Sequence, residues 1–278
     1  MPDLKQSASK LFQRFPVSMW VIALGCLLWS MSAQAQRCSE EQQCLFGVFP
    51  HSGFAQLQDT YSGIAEDLSL MLDRPVRLVS GSSMAHFQEL TEAQRWDIAL
   101  IGPGQFVSYA QPKGYIPVAR STRLLTYELI TLKDKGIDSV GELRGKRLGL
   151  MWPNTGTHLM THKLLGEAGI DPGKDLQTTT YASQHACVHA LLIDLVDACG
   201  VATSILNILR EQKPADYLSI ARTQPFAGAM YVVHPSLDEA DKEAARDYLQ
   251  NRPGMQPFSP KDLDEYLHII NSLQGRAQ

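Results

Sequence analysis

The sequence has no Gly-x-Ser-x-Gly elbow, no phosphate loop ending in Gly-Lys-Ser or Gly-Lys-Thr, and no Gly-x-Gly-x-x-Gly fingerprint. Those absences remove the usual marks of a serine hydrolase, a nucleotide hydrolase and a dinucleotide-dependent oxidoreductase. Its two His-x-x-x-His pairs, His158/His162 and His185/His189, have no Glu after the first histidine, so the metalloprotease motif is absent as well. There is no excess of basic charge: 25 Lys and Arg stand against 29 Asp and Glu, a net of −4, which leaves no footprint for nucleic acid or an anionic membrane. Low-complexity linkers and short solenoid-type repeats are missing too. After Met31 no apolar run approaches the roughly 20 residues of a membrane span.

What is present begins with an address. Lys5, Lys10 and Arg14 precede the apolar run Val17–Met31, and Ala33-Gln34-Ala35 then supplies a small-x-small cleavage pattern. An apolar core of about 15 residues is a secretory signal peptide, not a span. Residues 1–35 are therefore expected to be removed and the rest delivered to a bacterial periplasm. A lipoprotein alternative rests on Ala-Leu-Gly-Cys ending at Cys26, but the apolar run continues through Leu27, Leu28 and Trp29. Without Lys5, Lys10, Arg14 and Asp3 the net charge becomes about −6.

Cys38, Cys44, Cys187 and Cys199 remain. An even number in an oxidising compartment favours disulfides. Three pairings are open, of which Cys38–Cys44 with Cys187–Cys199 is the simplest. A free thiol at Cys187 or Cys199, as a soft-ligand site or a nucleophile beside His185, is the alternative.

Short apolar runs alternate with helical spacing along the chain. Strands are expected at 44–49, 76–79, 97–101 and 115–119, with helices at 61–72, 84–93 and 106–110 between them. This order indicates a largely parallel sheet covered on both faces. The theme repeats with strands at 147–151, 178–182, 198–202 and 218–220, and helices at 139–143, 157–167, 184–192 and 204–212. Helices at 238–249 and 260–273 close the chain. The extended segments 124–132 and 229–233 bracket an inner block of about 100 residues. The expected fold is α/β with two lobes, lobe I from 36–125 plus 229–278 and lobe II from 126–228. Two hinge crossings join them over a ligand-closing cleft.

Several segments carry a resemblance in order: Asp97-Ile98-Ala99-Leu100-Ile101-Gly102-Pro103, Ser139–Leu150, Pro153-Asn154-Thr155-Gly156-Thr157, His185, and Val196-Asp197-Ala198-Cys199-Gly200-Val201. Over about residues 44–275 the chain resembles the periplasmic binding components of phosphonate, phosphite and phosphate ABC importers. That family has the two-lobed type II periplasmic binding fold. The resemblance implies capture of a small oxyanion for a transporter permease, with no catalysis and no cofactor or metal, by a chain expected to act as a monomer.

The loop at Pro153–Thr157 supports the anion reading physically. It follows a strand and opens a helix, whose first N–H groups are unpaired and carry partial positive charge. Thr155 and Thr157 add hydroxyls, and Gly156 permits close approach of the backbone. The alternative is that a threonine merely caps its own helix. His185 matches the family's ligand-contacting histidine and can donate to an anion. From the first lobe, Gly102, Gly104 and Gln105 would contribute after a buried strand, with Ser83 and Met84 from a second loop. Pro50-His51-Ser52, after the first strand, is a further segment expected to reach the cleft.

Two departures bear on the ligand. Where phosphonate-specific members use first-lobe tyrosines, this chain aligns Met84 and Ile101. Where they hold an amino group with acidic side chains, it reads Thr203-Ser204 and Ala227-Gly228. An aminoalkylphosphonate is not expected; phosphate, phosphite and sulfur or arsenic oxyanions stay open. The Cys187/Cys199 pair also resembles periplasmic sensors of tetrathionate or arsenite that signal to a histidine kinase, the alternative function. A four-histidine metal site from the two histidine pairs is a further alternative.

Overall fold

The computed structural model describes Cys38 and residues 43–274. The expected signal peptide, with Cys26 and the cleavage site, lies outside the described residues.

Two sheets are built on one plan. The first runs β2 (Val76–Ser80), β1 (Cys44–Val48), β3 (Ile98–Ile101), β12 (Met230–Val233), β4 (Ile116–Ser121) and β13 (Met255–Pro257) from edge to edge. The second runs β8 (Gln177–Tyr181), β7 (Arg147–Met151), β9 (Ala198–Ala202), β6 (Tyr127–Leu132) and β10 (Tyr217–Arg222). In each, the second strand in this order, β1 or β7, is parallel to both its neighbours, and one antiparallel strand follows the third. That antiparallel strand, β12 or β6, is the one arriving from the other lobe. The central strands β3 and β9 are buried along their whole length, as strands covered on both faces must be.

The crossings pair with each other. The segment 124–132, expected as one extended piece, breaks at Thr126. Leu124–Leu125 forms β5, which pairs antiparallel with β11 (Phe226–Ala227), while β6 enters the second sheet. A two-strand ribbon thus joins the lobes.

The matching Asp motifs have a structural use. Asp97 precedes β3 and its Oδ2 accepts from Leu45 N–H of β1 at 2.7 Å; its own N–H returns to Leu45 O at 3.0 Å. Asp197 precedes β9 and does the same with Arg147 of β7, at 2.9 and 2.8 Å. Each carboxylate closes the end of a strand pair whose amide would otherwise lose its ladder partner. Arg147 and Lys135 also hold Asp197, and the hydrogen bonds from Arg147 keep its carboxyl well below the usual range.

Helices α1 (Phe54–Met71), α2 (Met84–Glu92) and α6 (Glu239–Gln250) belong to the first lobe. Helices α3 (Gly156–Glu167), α4 (Gln184–Leu192) and α5 (Thr203–Gln212) belong to the second. Helix α1 starts earlier than the sequence spacing suggests. Leu57 is buried on the same face as Ile64, Ala65 and Leu68, and its packing carries a polar stretch, Gln58-Asp59-Thr60, into helix. The last helix, α7 (Pro260–Gln274), touches both α3 and the helical turn at Pro103–Gln105. Its Tyr266, fully buried, donates to Gly228 O of the crossing at 3.0 Å and lies edge-on to Phe226. One apolar cluster runs through the junction, holding Tyr127, Leu159 and Ala202 of the second lobe with Ile101, Phe106 and Met230 of the first.

The disulfides form as Cys38–Cys44 and Cys187–Cys199. Cys187 and Cys199 are both fully buried, so the free-thiol alternative does not apply to them. The bridge ties α4 to β9 directly over Gly149 of β7. A Cβ there would stand 2.2 Å from Cys187 Sγ, so only glycine fits beneath the bridge.

Candidate functional site

Between the two sheets lies a cavity of about 590 Å³. Five helices begin at its wall. Helix α1 brings Gly53 and Gln56, α2 brings Met84, α3 brings Thr155, Gly156 and Thr157, α4 brings Gln184 and His185, and α5 brings Ser204 and Ile205. The turn that follows β3 adds Gly102 and Gln105. Among the described residues, none of the wall is Asp, Glu, Lys or Arg. Positive potential in this space comes from amide N–H groups and helix ends, and His51 and His185 are the imidazoles among the described wall residues.

The helix starts differ in how their amides are occupied. Thr155 caps α3: its hydroxyl donates to Trp152 O at 2.7 Å and accepts from His158 N–H at 3.3 Å. Its side chain therefore serves its own helix, and what α3 offers the cavity is its first turn at Gly156 and Thr157. Ser183 caps α4 through Ala186 N–H at 3.1 Å. Helices α1 and α5 begin at Gly53 and Ala202 with no side-chain cap. Ala202 N–H is held by Gln184 Oε1 at 2.6 Å, which locks the starts of α4 and α5 together.

Most residues expected from the sequence stand in the wall: Thr155, Gly156, Thr157 and His185 from the second lobe, and Gly102, Gln105 and Met84 from the first. Gln105 accepts from Gly102 N–H at 3.1 Å, fixing that turn. Gly104 and Ser83 do not line the cavity. A Cβ on Gly104 would stand 2.4 Å from Leu159 Cδ1 and 2.5 Å from Asn154 O; this glycine is where the lobes touch. Ser83 caps α2, accepting from His86 N–H at 3.1 Å. Asn154, at φ +60°, donates from Nδ2 to Tyr109 Oη across the same junction. Asparagine tolerates that left-handed conformation better than most residues.

Tyr127 is a wall residue the sequence did not mark. It lies at the start of β6, is 6% exposed, and its hydroxyl reaches over the first turn of α3. A Cβ on Gly156 would stand 2.5 Å from Tyr127 Oη. Burial pushes its phenol above the ordinary value, so it keeps its proton and remains a donor. Trp152, Phe49, Leu125 and Met151 are further wall residues without a local signal. Phe49 packs against His51 with the rings tilted, and His51 Nε2 is 3.0 Å from Tyr61 Oη. Burial lowers the His51 pKa, keeping the ring neutral near pH 7. Ser52 lines the same corner, and its enclosed hydroxyl has no partner among the described residues.

The histidine pair His158/His162 lies behind the α3 loop, outside the wall. The rings are 4.2 Å apart and His158 Nδ1 is 3.0 Å from Met151 O. Burial, and then the neighbouring ring, lower His158 to about 4; burial lowers His162 as well. Among the described residues no three His, Cys, Asp or Glu gather as a metal-holding group, so His185/His189 does not complete a four-histidine site with this pair. No described helix is long and apolar enough to cross a membrane.

The chain matches, over residues 46–262, the family model described as the periplasmic substrate-binding protein of phosphonate ABC transporters. It is similar in fold to a binding protein component of an ABC phosphonate transporter from Pseudomonas aeruginosa, with 18% identity, 83% of this chain and 86% of that one covered, and a TM-score of 0.71. It is similar also to PhnD1 from Prochlorococcus marinus, solved in complex with methylphosphonate: 13% identity, 83% and 98% covered, TM-score 0.73. A protein from Xanthomonas citri bound to ATP superposes with TM-score 0.71 at 16% identity, over 85% and 98% of the two chains.

Proposed function

The chain belongs to the family of periplasmic substrate-binding proteins of phosphonate ABC transporters, and from that premise we propose that it grips its oxyanion between the lobes, on the first turn of α3. The observation that carries this reading is the convergence of helix starts on one cavity whose described wall residues include no Asp, Glu, Lys or Arg. Amides and hydroxyls hold an oxyanion without a lysine because each N–H is fixed by its helix before the ligand arrives. A fixed donor avoids most of the ordering cost of binding.

In this reading Gly156 and Thr157 donate backbone N–H, and Thr157 and Tyr127 donate hydroxyls. His185 donates from its ring at the start of α4, and Gly102 and Gln105 close from the first lobe. Ser52 supplies a donor from the corner beside α1. Closure about the β5/β11 ribbon follows from contacts to both lobes, and the closed form is what a transporter permease would dock. The family match favours that partner over a histidine kinase.

The test is calorimetry with methylphosphonate and phosphate on the native protein and on Thr157→Ala. Hydrogen bonds to a charged group are worth about 1.5–3 kcal/mol, so Thr157→Ala should weaken the anion roughly ten- to a hundredfold while the thermal midpoint without ligand changes little. Unchanged affinity would exclude the Thr157 hydroxyl as a ligand donor.

A further inference from the structure

We infer that the preferred ligand is a phosphonate whose carbon substituent is uncharged and apolar, about the size of a butyl or phenyl group. This rests on the anion reading above and adds what the rest of the cavity requires. The cavity holds about 590 Å³ although Gly104 and Asn154 already bring the lobes into contact. Methylphosphonate has five heavy atoms. At about 30 Å³ each, the share of a water molecule, it would fill roughly a quarter of that space. A volume of this order lies in the range of small-molecule pockets and leaves room for a substituent larger than methyl.

The chemistry of the remaining wall is apolar. Phe49, Met84, Leu125, Met151, Trp152 and Ile205 all line it. Phe49, Leu125 and Ile205 pack on the same junction cluster that contains Tyr127 and Ala202, so the apolar surface is continuous with the helix starts and not a separate recess. Trp152 is 36% exposed, a large aromatic face left partly uncovered beside the first turn of α3. An ammonium group has no counter-ion here. Glu128, next to Tyr127 in sequence, is not in the wall, and its carboxylate is held by Arg222 at 3.0 Å and by Thr203 at 2.8 Å. Burying an unpaired ammonium is costly, so an aminoalkyl substituent is disfavoured, whereas an alkyl or aryl group covers Trp152 and Ile205.

The experiment is a calorimetric series on the mature protein with phosphate, methylphosphonate, 2-aminoethylphosphonate, butylphosphonate and phenylphosphonate. Butyl- or phenylphosphonate is expected to bind roughly tenfold or more tighter than methylphosphonate, with 2-aminoethylphosphonate no tighter than methylphosphonate. Trp152→Ala should weaken butyl- and phenylphosphonate more than methylphosphonate, narrowing the gap between them, and its thermal midpoint without ligand should stay near that of the native protein. Methylphosphonate or 2-aminoethylphosphonate binding as tightly as the larger compounds would overturn this inference and leave the anion grip standing. Equal losses for all ligands in Trp152→Ala would also overturn it. Binding of no member of the series would overturn both readings.

Discussion

The first turn of α3 has no room for one more methyl group at Gly156. The missing Cβ is what lets Tyr127 Oη lie over the first turn of α3. Gly156→Ala should displace the tyrosine, lower stability by about 1–3 kcal/mol as overpacking does, and weaken ligand binding. Adding Tyr127→Phe to that variant should restore part of the stability, because the 2.5 Å clash is with the hydroxyl oxygen; denaturant titration of both variants checks it. The sequence disclosed only half of this pair. A glycine between two threonines after a strand marks an anion loop locally. A tyrosine in an apolar strand does not, because the turn it meets is brought there only by the folding of a different segment. Thr155 was read as a ligand contact or a cap, and its hydroxyl has both its hydrogen bonds inside the helix start.

Among the elements, α3 carries the pH response. His158 and His162 are held neutral by burial, with His158 at about 4. In the unfolded chain both titrate near 6.5. Between those values the unfolded state binds more protons, so stability rises with pH across that window and is lost as pH falls from about 6.5 toward about 4. Urea midpoints measured between pH 7 and pH 4 should decline, and His158→Gln should flatten the decline. Helix α4 depends on its bridge to β9. The Cys187–Cys199 link closes a separation of 12 residues, worth roughly 3 kcal/mol on the chain-entropy model. A Cys187→Ala/Cys199→Ala variant should lose about that much, read as a lower urea midpoint. Strands and helices of both lobes were legible because their apolar spacing is local. The start of α1 was not, since Leu57 is the only residue of its first two turns that the core buries, and Phe54 is left exposed. With it went Gly53, the uncapped helix start at the cavity. Edge strand β13 was missed because three residues ending in Pro257 look like a turn.

For the molecule as a whole, ligand binding and stability are one measurement. A ligand at 100 times its Kd adds about 2.7 kcal/mol, which for a chain of this size raises Tm by roughly 5–10 °C. A thermal-shift series should therefore rank ligands in the same order as calorimetry. Two lobes and two crossings could be read from the sequence, because alternating strand and helix patterns recur on either side of the inner block. The size and apolar character of the space between them could not, since Phe49, Leu125 and Ile205 meet only after both lobes are assembled. The traded strands have a further consequence for how the protein is made. A chain emerging from synthesis or export has β3 and β4 early, but β12, which stands between them, ends at Val233. The lobe that begins first must finish last, and a fragment stopping at residue 228 should show no slow-exchanging amides in β3 or β4.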